Sequence, residues 1–345
     1  MTPEIYAIRK ALLSKEAIVS NILYGNYKIQ VFVKNYDKPL IITFAPFGET
    51  DSLQMDVNKE VWGYKYFRRK NQNIIAISSV YEETWYRCEE IERITSILGK
   101  CFQHFPEVLG YGGSMGGFAI GAFSKSLNLD RVLLLNPFST LAPALVPFET
   151  RFQEYQEKLN WGDGFFDAAA CNCKGFVVYD SIFNLDKMHA KRFKTLTPII
   201  VPGVGHKVPM HLANLGALEL LVDGFIVNNF DHYKFSRQIR RRHFYPHYFD
   251  WMLSTENLHL TPARRQIIEK QKKLLFRLFD IRSSGPEMDS SSIDVIRDSA
   301  LALESESLEF SYRLMKIAHH LRPEGKFIKD KLDIYEQMMN NKKVK

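Results

Sequence analysis

Gly112-Gly113-Ser114-Met115-Gly116-Gly117 joins a predicted strand, Glu107 to Tyr111, to a predicted helix, Met115 to Ser126, and puts a serine between them. A serine at such a junction sits on a tight turn in a strained backbone conformation. Small neighbours permit it. Without a Cβ at Gly112 or Gly116, strand and helix can approach closely while the serine oxygen stays exposed and the Met115 amide points towards a developing oxyanion. The chemistry this predicts is acyl transfer through a covalent serine intermediate.

A partner set follows in chain order. In Thr197-Pro198-Ile199-Ile200-Val201-Pro202-Gly203-Val204-Gly205-His206, an apolar strand runs into a Gly-rich turn that ends on a histidine. Such a turn can carry the imidazole over the sheet edge. Two aspartates follow the preceding strand, Lys174 to Tyr179: Asp180 at the strand end, and Asp186 at the start of a helix-like run. An acid that orients a histidine usually lies several residues beyond its strand, on the loop leading into the helix, which favours Asp186 and leaves Asp180 as the alternative. Asp186, at the start of its helix-like run, would also make a good N-cap, and whichever aspartate is not the acid has a structural role.

On the motifs Gly112 to Gly117 and Gly203-Val204-Gly205-His206, the chain resembles the α/β-hydrolases over roughly residues 25 to 228. The resemblance implies the order nucleophile, acid, histidine. Ser114 would then attack, His206 would act as general base and then acid, and Asp186 or Asp180 would orient the imidazole. It also implies an oxyanion hole from the Met115 amide and an amide after an early strand. Here Leu40 to Ala45 is followed by Pro46-Phe47-Gly48-Glu49; Pro46 has no N–H, so Phe47 is the candidate, and the family's His-Gly signature is absent from this loop. No cofactor or metal is required. The expected activity is cleavage of an ester or related acyl bond. The alternatives are an acyltransferase of the O-acetyl type acting on a glycan or other hydroxyl, and an inactive hydrolase-fold binding module.

The expected fold class is α/β: a mostly parallel sheet with helices on both faces, followed by an all-helical C-terminal region. Strands are predicted at Lys28 to Lys34, Leu40 to Ala45, Asn73 to Ser78, Glu107 to Tyr111, Arg131 to Leu135, Gly175 to Tyr179 and Thr197 to Val201. Helices are predicted at Pro3 to Leu13, Cys88 to Phe102 and Lys207 to Val222. In the second, Ile91, Ile94, Ile97, Leu98 and Cys101 recur at helical spacing and should face the sheet. The segment Asn136 to Cys173 carries Phe138, Phe148, Phe152, Trp161, Phe165 and Phe166. It is long enough to form a pocket wall or cap, and reads equally as a surface helix with a few anchoring aromatics.

With 345 residues, 46% of them hydrophobic and 25% charged, the chain has the composition of a globular protein and the size of more than one domain. The expected parts are a catalytic domain at 1–228, a basic aromatic helical region at 229–282 and a helical appendage at 283–345. From Asp231 to Arg282, twelve Lys or Arg face five Asp or Glu, an excess of +7 that equals the net charge of the whole chain. Within it, Arg240-Arg241-Arg242-His243-Phe244-Tyr245-Pro246-His247-Tyr248-Phe249 interleaves cations and rings, which reads as a solvated basic face over buried aromatics. Nucleic-acid binding is not expected; peripheral contact with an anionic surface stays open. Ser283 to Ser292 reads as a linker, and two helical stretches follow, Ser292 to Ala318 with a break near Ser305, and Phe327 to Met339. The pair resembles part of one tetratricopeptide-type unit and is expected to dock on the catalytic domain, on a protein partner or on a second copy. Cys88, Cys101, Cys171 and Cys173 suit neither a disulfide framework nor a zinc site. With no long apolar segment, the expected location is cytoplasmic.

Overall fold

The computed structural model describes residues 2–56, 58–162, 164–244, 246–254, 260–279, 290–305 and 307–343. They form two compact units, residues 1–259 and 260–345.

The first unit is built on eight strands: β1 (Ile18–Tyr24), β2 (Tyr27–Val33), β3 (Leu40–Phe44), β4 (Asn73–Ser79), β5 (Val108–Gly113), β6 (Arg131–Leu135), β7 (Lys174–Tyr179) and β8 (Thr197–Ile200). Their spatial order is β1-β2-β4-β3-β5-β6-β7-β8. β2 runs antiparallel to β1 and β4, and every other pair is parallel. Seven strands fall on predicted ones; β1 is additional. Tyr24 pairs with Tyr27, so Gly25-Asn26 is a two-residue hairpin loop.

Successive residues of the central strands enter different cores. In β3, Leu40, Ile42 and Phe44 join one apolar cluster and Ile41 the other; in β6, Val132 and Leu134 part from Leu133 and Leu135 in the same way. Both faces are therefore covered, which is why these strands read as unbroken apolar runs. Helices Pro3–Leu13, Glu89–Gly99 and Ser114–Ala122 supply buried side chains to the first cluster. Helices Tyr64–Arg69, Leu218–Ile226 and His232–Ile239 supply the second.

The helix expected at Lys207 to Val222 is two, Val208–Asn214 and Leu218–Ile226, with Gly216 at a φ of +64° between them. Asn136 to Cys173 contains one short helix, Gln153–Lys158, and a 3-10 turn, Ala168–Ala170. Residues beyond 228 continue the first unit. Helix Pro246–Leu253 buries Tyr248, Phe249 and Met252, while the Arg242 guanidinium lies 5.7 Å from the Tyr248 ring centre.

The second unit holds helices Pro262–Phe279, Ser290–Ala302, Leu308–Leu321 and Lys326–Lys343. The last three enclose a small core around Ile296, Ala300, Met315, Ala318 and Tyr335. Ser307 caps the third helix by accepting from the Phe310 amide. Of the expected linker, residues 283–289 lie outside the described residues, and Ser290 to Ser292 already open a helix.

Candidate active site

Ser114 is the first residue of helix Ser114–Ala122, directly after β5, and its φ is +53°. A non-glycine residue in this left-handed region is strained. The neighbouring glycines make the turn possible: a Cβ on Gly112 would lie 2.5 Å from the Gly116 carbonyl oxygen, and one on Gly116 would strike the Phe44 carbonyl at the end of β3. Ser114 Oγ stands 2.9 Å from His206 Nε2, across 92 residues of sequence.

His206 ends the loop after β8, and Asp180 shapes that loop. The fully buried Asp180 carboxylate accepts the backbone N–H groups of Gly203 at 3.1 Å, Val204 at 2.8 Å and Gly205 at 2.7 Å, and the Trp251 indole N–H at 3.2 Å. Gly205 has a φ of +60°, and a Cβ there would sit 3.0 Å from the Trp251 ring. Helix Pro246–Leu253, from the stretch read as basic and aromatic, is thus part of the wall behind the histidine.

Of the two aspartates, Asp186 reaches the imidazole. It is the third residue of helix Asn184–Ala190, is 1% exposed, and holds His206 Nδ1 at 2.8 and 2.9 Å from its two oxygens. The line from Ser114 through His206 to Asp186 is continuous. With Nδ1–H donated to the carboxylate, the Nε2 lone pair faces Ser114 Oγ.

Several residues at this site carried no signal in the sequence. Arg151, on the long segment after β6, places Nη1 3.1 Å from Asp186 Oδ1 and 3.2 Å from His206 Nδ1. Its guanidinium lies 4.4 Å from the Phe138 ring centre and 5.3 Å from that of Phe183, and the same two rings flank His206. Glu149 binds Arg151 at 2.6 Å and His189 Nε2 at 2.9 Å, and both Glu149 and His189 side chains are fully buried. Burial pushes the Glu149 carboxyl up, but the hydrogen bonds from His189 and Arg151 outweigh it and bring it down to about 2. Burial lowers His189 despite the carboxylate beside it, so its ring is neutral at pH 7. Its tautomer follows: Nε2–H donates to Glu149, and Nδ1 accepts the Ser139 backbone N–H at 3.1 Å. Asn136, at the end of β6 with a φ of +38°, sets its Nδ2 3.3 Å from both nitrogens of His206. Equal distances put it on the plane bisecting the two nitrogens, away from either lone-pair direction.

Met115 is buried in the first turn of its helix, where backbone amides lack an intrahelical partner. Phe47 follows β3 and precedes helix Glu49–Met55; the residue is 38% exposed and its ring packs on Phe152 at 5.1 Å and Tyr155 at 5.6 Å. Of the aromatics expected to wall a pocket, Phe138, Phe152 and Trp161 surround the buried Trp85, and Phe148 lies against His189.

The sheet order and the serine on a left-handed turn between β5 and its helix decide the architecture. The fold is of the α/β-hydrolase type. No family model matches the chain, and no curated protein matches it. Among solved structures it is similar to the capsule O-acetyltransferase of Neisseria meningitidis serogroup A, with 13% identity over 62% of this chain and 99% of that one and a TM-score of 0.42. It is also similar to Est1E from Butyrivibrio proteoclasticus, with 10% identity over 59% and 98% and a TM-score of 0.39. Among the described residues no group of His, Cys, Asp or Glu could hold a metal ion, and no helix is long and apolar enough to cross a membrane. Cys88, Cys101, Cys171 and Cys173 are free thiols.

Proposed function

We propose that this protein is a serine-dependent acyl-bond enzyme that cleaves an ester or related bond through an acyl-enzyme on Ser114. The observation that carries this reading is the 2.9 Å approach of Ser114 Oγ to His206 Nε2, on a serine held at a φ of +53°. In the first half-reaction Oγ attacks the acyl carbonyl as its proton passes to Nε2. The new imidazolium gives that proton to the leaving alkoxide, and Asp186 stabilises the charged ring without taking a proton itself. The oxyanion is met by the Met115 amide, assisted by the N-terminal dipole of its helix, and by the Phe47 amide. In the second half-reaction His206 deprotonates water, which attacks the acyl carbon, and Oγ recovers a proton as the acid departs.

The test is hydrolysis of p-nitrophenyl esters of increasing chain length, with fluorophosphonate labelling, for the wild type and Ser114→Ala. Loss of turnover and of label together in the variant is the expected result, and the chain-length profile would size the acyl pocket. Label without turnover would transfer the reading to an acyltransferase that delivers its acyl group to a hydroxyl acceptor. Neither signal from a folded wild type would leave a hydrolase fold used for binding.

A further inference from the structure

Asp186 is nearly sealed from solvent, and two side chains donate to it: His206 through Nδ1 and Arg151 through Nη1 at 3.1 Å. A buried carboxylate needs donors on both sides to hold a charge and an orientation. The guanidinium is not free to drift. Glu149 grips it by two of its nitrogens, Nη2 at 2.6 Å and Nε at 3.0 Å, and Glu149 also accepts the Arg151 backbone N–H at 2.7 Å. Glu149 is held in turn by the neutral His189, whose other nitrogen is fixed by Ser139. A planar fork can meet two carboxylates at once, which an ammonium cannot do with the same directions.

We propose that Arg151 is a positioning residue: anchored by Glu149, it fixes the Asp186 carboxylate so that His206 keeps its proton on Nδ1 and offers Nε2 to Ser114. The proton count supports this arrangement. Arg151 Nη1 also lies 3.2 Å from His206 Nδ1. Were it to donate there, the neutral ring would carry its proton on Nε2 and could not accept one from the serine. Arg151 therefore serves the reaction only while its N–H points at Asp186, and the grip of Glu149 on the rest of the guanidinium sets that direction. His206 is faced by Ser114, Asp186, Arg151 and the amide of Asn136, with the rings of Phe138 and Phe183 closing its sides.

This inference rests on Ser114 acting as the nucleophile, so the experiment separates the two. Fluorophosphonate labelling rates and ester kcat and KM are measured on the wild type, Ser114→Ala, Arg151→Ala with and without added guanidinium ion at non-denaturing concentration, and Arg151→Lys. A wild type that labels while Ser114→Ala does not establishes the nucleophile independently of Arg151. The expected result is then a loss of about 100-fold in labelling rate and kcat for Arg151→Ala, the scale of a small misplacement of a reacting group, with KM little changed and partial restoration by guanidinium. Wild-type rates in Arg151→Ala, or a loss that guanidinium does not restore and that falls on KM, would overturn it. Should Arg151→Ala fail to fold, Arg151→Lys decides: slower labelling than the wild type at unchanged KM supports the role of the fork, and wild-type labelling refutes it.

Discussion

The Asp180 carboxylate accepts the backbone N–H of Gly205 at 2.7 Å, one residue before the imidazole, yet among the described residues it makes no bond to the imidazole itself. Asp180 builds the loop, and Asp186 addresses the ring.

This division separates the two aspartates experimentally. Asp180→Ala leaves three buried loop amides and the Trp251 indole without their shared acceptor, and should destabilise the protein by about 3 kcal/mol or more. Asp186→Asn keeps the shape of the side chain and should leave the fold largely standing, while turnover drops by roughly 10⁴ because the ring is no longer held in its working tautomer. Thermal melts and kcat on both variants decide it. A soft melt for Asp186→Asn with near-wild-type turnover would contradict the assignment.

Gly205→Ala tests the same loop through its backbone. At a φ of +60° any L side chain costs about 1–2 kcal/mol, and the added methyl would press on Trp251 at 3.0 Å. Reduced stability together with reduced turnover is expected, because a displaced Gly205 displaces His206. Trimming the indole in Gly205→Ala/Trp251→Phe removes part of the crowding but also the bond to Asp180, so the double variant should not regain wild-type stability. Full recovery on calorimetry would show that crowding alone was at fault.

Acid sensitivity should trace to Glu149. Its carboxyl is lowered from an ordinary 4.5 to about 2 in the folded protein, so the unfolded chain binds a proton first as the pH falls. The stabilisation is present above about pH 4.5 and is lost as the pH approaches 2, a total of about 3 kcal/mol. His189 acts in the same direction, starting as the pH falls below its ordinary 6.5, because burial lowers it and the fold therefore prefers the neutral ring. In Glu149→Gln the carboxylate part of the slope disappears. Denaturant midpoints from pH 5 to pH 2 should therefore fall less steeply in the variant, whatever its stability at pH 7; parallel slopes would refute the assignment.

The central strands were legible because they are covered on both faces. Leu40-Ile41-Ile42-Thr43-Phe44 and Arg131-Val132-Leu133-Leu134-Leu135 place apolar side chains in two cores at once. β1 escaped because it is an edge strand: Val19 and Leu23 are exposed, and Ser20 and Asn21 interrupt the apolar run. The Gly25-Asn26 pair between Tyr24 and Tyr27 was the available hairpin signal. At the site, Ser114 and His206 announced themselves through glycines that steric crowding demands locally. Glu149 and Arg151 could not, since what makes them notable is contact with Asp186 and His189, 35 and 40 residues away. No spacing rule encodes a pairing that only tertiary folding creates.

The segment from Asn136 to Cys173 sets the Phe138 backbone N–H 3.4 Å from the Ser114 carbonyl and the Phe138 ring beside His206, and it also supplies Glu149 and Arg151. On the proposed function, the wall beside His206 and the brace behind Asp186 are therefore written on one stretch of chain. Grafting this segment from a homologue to alter that wall would also exchange the residues that hold Asp186, so a redesign of the wall alone must carry the Glu149-Arg151 pair across unchanged.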